Sequence, residues 1–441
     1  MRIFTFTLFL FINLSLFGQS RIVGQINDVK DSTLLYLQEN IGGKYQTIDS
    51  CLLDTEGKYE FGGQFATGYY SLMLEPDNWV QFIISSNEDF IQIDFSSTQL
   101  RSHLEVVKSN INIELWNFIR FRNLVKSKIS ENSIDKSYAA KANQDLTHFE
   151  NIEDSLNLGY HQFLLETYRE KPNSFFAKTI ISDIEIEEKE AFFKYTFFED
   201  AELIRSGVLT HQVMKYLQFH TDYTEQGFNS SVDEILEQAS VNQEVYEFIL
   251  NYLLELFNEV GPDVVLDYLV EHYVIGDACS DMTYSDALKA KLNAYKNLQI
   301  GNKVANVSMF NHEGIMMNLY DLCSFSKLNI LFFGSSECHF CQEAIPQLKA
   351  LLQEESNKEL QIIYISLDTE TQAWLSPIPK DTQQWVYLSE LKGWDSKSAE
   401  IYQVHKTPSF YLLNSNSNIL SKPRSMDELQ KDIEFLNQYG K

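Results

Sequence analysis

Two cysteines stand two residues apart in Cys338-His339-Phe340-Cys341, between an apolar run, Leu328–Phe333, and a stretch of helical spacing, Gln342–Glu354. A C-x-x-C pair at a strand-to-helix junction suits thiol–disulfide exchange. The amino end of a helix has unpaired N–H groups and partial positive charge, and both stabilise a thiolate. Two intervening residues let the sulfurs reach bonding distance. On this reading Cys338 is the exposed nucleophile, and Cys341, one turn inward, resolves the mixed disulfide. Half a zinc site is the first alternative, but no second C-x-x-C follows and His405 is the only histidine downstream, so no metal is expected. A structural disulfide is the second, although so short a loop constrains the unfolded chain little.

A second signal lies at Val404–Leu413, where Thr407-Pro408 precedes the apolar run Ser409–Leu413. A cis X-Pro bond there turns the chain sharply at a sheet edge and leaves the Thr407 backbone open to a substrate strand. The alternative is a trans proline that merely starts a strand.

The elements that must position these residues alternate between strand and helix. KVANVSMF and IMMNLYDL read as a hairpin, Leu328–Phe333 and Leu360–Leu367 as buried strands, and Ser409–Leu413 with Asn418–Leu420 as a strand pair. Ser396–Tyr402 and Met426–Gln438 read as helices. The expectation for residues 300–441 is a central sheet with helices on both faces. Upstream, residues 19–97 alternate at period two between Gly-, Asn- and Asp-bearing turns, which predicts a small antiparallel, β-sandwich-like domain. Residues 98–299 carry apolar residues at three and four spacing. Ile113–Lys128, Tyr138–Thr167, Glu187–Phe198, His211–His220, Val232–Gln238, Gln243–Phe257 and Pro262–His272 are expected helices of a middle helical domain.

Composition narrows the partners. The 441 residues carry a formal charge of −27, which repels nucleic acid and anionic lipid. Residues 1–18 have a secretory layout, with Arg2 before IFTFTLFLFINLSLF and cleavage expected after Gly18; an uncleaved membrane anchor is the alternative. Export permits disulfides, and five cysteines cannot all pair at once. Cys323 reads as a buried apolar residue, while Cys51 and Cys279 are either free or joined to each other.

ILFFGSSECHFCQEAIPQL resembles the active-site stretch of the TlpA/ResA-like extracytoplasmic thioredoxins, with Pro346 at the family's helix proline. Residues 404–413 resemble the thioredoxin cis-proline segment. The two upstream regions resemble an arrangement that recurs in exported bacterial thioredoxin-like proteins. The resemblance implies a thioredoxin-like fold over residues 300–441 and a periplasmic or cell-envelope reductase or isomerase of protein disulfides. It also implies no cofactor and recycling by a membrane thiol donor. Glu337, His339, Phe340, Thr407 and Pro408 would then support Cys338 and Cys341. Several residues depart from the family. Ala344 replaces its active-site glutamate, with Glu343 one position early and so about 100° away around the helix. Phe332 stands where ordinary thioredoxin has a buried acid. A protonated His339 would favour the Cys338 thiolate and Glu337 would oppose it. Two other readings remain open. One is an exported partner-binding protein with a vestigial or regulatory pair. The other is a peroxiredoxin-like peroxidase, whose P-x-x-x-T-x-x-C run Ser335 and Phe332 do not match.

Overall fold

A computed structural model describes residues 20–29, 33–98, 104–275, 286–354, 358–376 and 384–439. The expected leader and Cys279 lie outside them. The chain forms two compact units, Met1–Tyr252 and Leu253–Lys441.

The first unit opens with eight strands: β1 (Ser20–Asn27), β2 (Leu34–Ile41), β3 (Lys44–Leu52), β4 (Lys58–Gly63), β5 (Gly68–Glu75), β6 (Asn78–Ile84), β7 (Phe90–Ser96) and β8 (Glu105–Lys108). They make two four-stranded sheets, ordered β4-β1-β7-β8 and β3-β2-β5-β6. All pairings are antiparallel except β1 with β7. Helical texture was expected from residue 98, yet β8 pairs with β7 before the first helix begins. With four residues, β8 is too short to show a period.

Helices follow: α1 (Asn110–Lys141), α2 (Thr147–Glu170), α3 (Phe175–Ile181), α4 (Val208–Phe219), α5 (Glu225–Ala239), α6 (Gln243–Glu259), α7 (Asp263–Val270) and α8 (Asp286–Asn297). The continuous helix expected over Tyr138–Thr167 is interrupted, because α1 ends at Lys141 and Asn143 takes φ +52°. Asparagine tolerates that left-handed conformation better than most residues. Glu187–Phe198 is a 3-10 turn, Lys189–Tyr195, in which Phe192 and Phe193 pack on Tyr216.

The remaining elements are β9 (Ser308–Asn311), β10 (Met316–Asn318), α9 (Leu319–Cys323), β11 (Leu328–Gly334), α10 (His339–Gln353), β12 (Leu360–Ser366), α11 (Thr371–Leu375), β13 (Trp385–Ser389), α12 (Lys397–Ile401), β14 (Ser409–Asn414), β15 (Ile419–Ser421) and α13 (Met426–Tyr439). The sheet order is β10-β9-β13-β12-β11-β14-β15. Strands β11, β12 and β13 run parallel, and β14 is antiparallel to β11.

Strand β11 is apolar apart from Asn329, whose side-chain amide donates to Cys323 O at 3.1 Å, because both its faces are covered. Ile330 and Phe332 join Cys341, Leu348, Leu429 and Ile433, so α10 and α13 cover that face. Leu331 and Phe333 point the other way, joining Leu319, Leu322, Cys323 and Ala399 from α9 and α12. Expected elements are therefore found at the hairpin, β11, β12, β14, β15, α10, α12 and α13. Strand β13 and helix α11 were not anticipated, and the expected strand IMMNLYDL ends at Asn318, whose side chain caps α9 by accepting the Tyr320 and Asp321 N–H groups.

Candidate functional site

Strand β11 ends at Gly334 under the side chains of Tyr364 and Phe332; a Cβ there would lie 2.9 Å from the tyrosine ring. Only glycine lets the chain leave the sheet at that point without displacing the ring. The turn that follows is fixed by main-chain and side-chain bonds. Cys338 N–H donates to Ser335 O at 3.3 Å, and the Gln342 amide donates to Ser336 O at 2.7 Å.

Cys338 is the N-cap of α10, and its sulfur accepts the Cys341 N–H at 3.1 Å. That is the helix-end amide expected to stabilise a thiolate. Cys338 is half-buried, whereas Cys341 is fully buried among Phe332, Ala344 and Leu348. The two are disulfide-bonded, with Cα atoms 5.2 Å apart. Thr407-Pro408 is cis, and the Thr407 carbonyl oxygen lies 3.3 Å from Cys338 Sγ. Cys338, Cys341, Thr407 and Pro408 thus converge, although they are drawn from two distant segments of sequence.

The other candidates divide. Phe340 is 67% exposed beside the pair. His339 and Glu343 are exposed and meet each other, Nε2 to Oε1 at 3.2 Å. Glu337 is exposed. Ala344 is buried, and Phe332 stacks on Phe410 with ring centres 5.1 Å apart, so the surroundings of Cys341 are apolar.

Sequence reasoning missed a buried carboxylate that is bonded to this loop, Asp368. It follows β12 and is 6% exposed. Its Oδ1 accepts the Ser336 N–H at 3.0 Å and the Ser336 hydroxyl at 2.8 Å, while Oδ2 accepts the Ser366 hydroxyl at 2.7 Å. Sequence position compares only residues near Cys338 along the chain. The available signal was an acid placed directly after the expected buried strand Leu360–Leu367, at the carboxyl edge of a parallel sheet, where sites gather.

Cys323 is buried on the opposite face of the sheet, and burial pushes its thiol upward. Cys51 is half-buried and unpaired in β3.

Residues 326–419 match a family model described as thioredoxin-like. This segment is a thioredoxin-like domain. Residues 20–115 match a model described only as a domain of unknown function. Similar solved structures include a thiol-disulfide oxidoreductase from Bacteroides fragilis, at 27% identity over 31% of this chain and 99% of that one, TM-score 0.28. A thioredoxin-like protein from Bacteroides caccae is 19% identical over 56% of this chain and 91% of its own, TM-score 0.40. The thioredoxin domain of a thiol-disulfide oxidoreductase from Bacteroides vulgatus is 20% identical over 31% and 96%, TM-score 0.28. No curated relative matches the chain. Within the thioredoxin-like domain, the cysteine pair sits at the carboxyl end of β11, the same sheet edge as Asp368.

Proposed function

We propose that this protein is a thiol–disulfide oxidoreductase of the TlpA/ResA-like kind, reducing or isomerising disulfides of exported proteins. One observation carries the proposal: a half-buried cysteine and a fully buried one are paired at the start of α10, with the Thr407 carbonyl beside the half-buried one.

In the reducing direction the Cys338 thiolate attacks one sulfur of a substrate disulfide. A Cys338–substrate S–S bond forms, and the other substrate sulfur leaves as a thiolate and takes a proton. Cys341, deprotonated, then attacks Cys338 Sγ, which closes the internal disulfide and releases the second substrate thiolate. Two electrons have passed to the substrate, and a dithiol donor must return them to the pair. A membrane thiol donor facing the cell envelope suits that role, and the leader-like residues 1–18 support export. No described helix is long and apolar enough to cross a membrane.

The test is dithiothreitol-driven reduction of a protein disulfide by the purified chain, compared with Cys338→Ser. The variant is expected to lose the activity. Wild-type turnover in Cys338→Ser overturns the proposal.

A further inference from the structure

The first unit holds a cleft that the redox chemistry does not use. It measures about 420 Å³ and is lined from β3, β6, α1, α3 and α4, among other segments of that unit. Clefts that bind small molecules span about 300–1,000 Å³ and are mostly apolar, with a few placed polar groups. Tyr45 and Trp79 line this one with their ring centres 5.5 Å apart. Leu115, Ile180 and Val208 add buried apolar surface.

Two opposite charges interrupt that lining. Among the described residues of the cleft, Arg122 is the one permanent cation and Asp183 the one carboxylate. His211 adds no charge at neutral pH, because burial and the neighbouring Lys215 hold its imidazole below the usual range, against the pull of Asp183. Arg122 Cζ lies 5.4 Å from the centre of the Phe118 ring, and its Nε–H is buried without an acceptor. Asp183 is held from α2, where the Tyr160 hydroxyl donates to its Oδ2 at 2.9 Å. Phe118 and Tyr160 are themselves stacked, with ring centres 6.3 Å apart. One aromatic pair therefore positions both charges, and neither is spent on the other.

A buried donor without an acceptor costs stability and is rare in folded chains. A carboxylate satisfies such a guanidinium through two parallel N–H bonds, as its planar fork allows. Asp183 makes a simple anion a poor occupant, because two carboxylates repel strongly in a partly dry site. A ligand that also bears an ammonium group meets both charges.

We infer that this cleft binds a small zwitterion with an apolar side chain, an amino-acid-like ligand. Its carboxylate meets Arg122, its ammonium meets Asp183, and its side chain lies against Tyr45 and Trp79. The inference does not rest on the proposed redox activity, and it gives the first unit a binding role of its own.

Isothermal titration calorimetry of the purified full chain tests it with four probes. They are phenylalanine, phenylalaninamide (which lacks the carboxylate), phenylpropionate (which lacks the ammonium) and methyl glucoside, an uncharged polar ring. Phenylalanine is expected to bind saturably, and each of the others roughly tenfold or more weakly, as the loss of one charge-assisted contact implies. Arg122→Met is expected to weaken phenylalanine by roughly tenfold or more as well. Asp183→Asn is expected to erase most of the difference between phenylalanine and phenylpropionate. Should Arg122→Met fail to fold, the comparison of probes on the wild type still decides. Either single-charge analogue binding as tightly as phenylalanine overturns the inference. Saturable binding of methyl glucoside alone, or of none of the four, overturns it too.

Discussion

Asp368 grips Ser336 twice, accepting its main-chain N–H at 3.0 Å and its hydroxyl at 2.8 Å, only two residues ahead of Cys338. The carboxylate is buried, so removing it strands several polar groups at once. Asp368→Ala leaves the Ser336 and Ser366 donors unpaired and is expected to lower stability by about 1–3 kcal/mol. Loosening the loop is also expected to slow disulfide reduction by roughly tenfold or more, because small misplacements of reacting groups are costly. Asp368→Asn retains an acceptor for Ser336 and is expected to recover most of the stability. Urea denaturation and the reductase assay check both; an Ala variant with wild-type turnover would show that the clamp does not position Cys338.

Cys341→Ser is expected to accumulate mixed disulfides between Cys338 and substrates, because attack proceeds and resolution cannot. Non-reducing gels of the variant incubated with an oxidised protein should show an adduct that dithiothreitol releases. Absence of any adduct, with Cys338 still open to alkylation, would reverse the assigned order of the two sulfurs. The burial difference between Cys338 and Cys341 makes that reversal a sharp contradiction of the geometry.

What was legible in the sequence was local. The apolar run of β11, the C-x-x-C pair and Thr407-Pro408 each carry a short-range signature, and the structure brings all of them to one place. Asp368 was invisible because its meaning comes from Ser336, 32 residues earlier. Strand β13, Trp385–Ser389, was missed because five residues buried on both faces show neither clear alternation nor helical length. The middle helices were legible as helices but not in their allegiance. Spacing shows which face of a helix is apolar and nothing about which neighbour covers it, so α7 and α8 gave no sign of grouping with residues 300–441.

Asn112 on α1 provides a test in the first unit. It is completely buried, its Oδ1 accepts the Ile83 N–H at 2.6 Å, and its Nδ2 donates to Ile83 O at 2.8 Å. The side-chain amide therefore acts as a pairing partner for β6, which lies at the edge of its sheet. Asn112→Leu fills similar space but leaves both Ile83 groups unsatisfied, and is expected to lower stability by about 2–4 kcal/mol. Chemical denaturation of the purified chain measures it. A loss well under 1 kcal/mol would mean that α1 is not needed to close that edge.

Glu390 gives a pH dependence with a definite sign. Burial pushes its carboxyl upward, but bonds from Ser398 and Lys397, with the charge of Lys392 nearby, outweigh burial and hold it below the ordinary value. The main-chain bonds are 2.8 Å from Ser398 N–H and 3.1 Å from Lys397 N–H, at the amino end of α12. A carboxyl depressed in the folded state contributes its full stability above the unfolded value, about 4.3 for Glu. That contribution disappears as pH falls through the lower folded value. Glu390→Gln is therefore expected to be less stable than wild type near neutral pH by about 0.5–1 kcal/mol, a size limited by solvent screening. The gap should close below about pH 4. Denaturation curves for both proteins across that range decide it. A gap that stays constant with pH would show that Glu390 acts through shape and not through its charge.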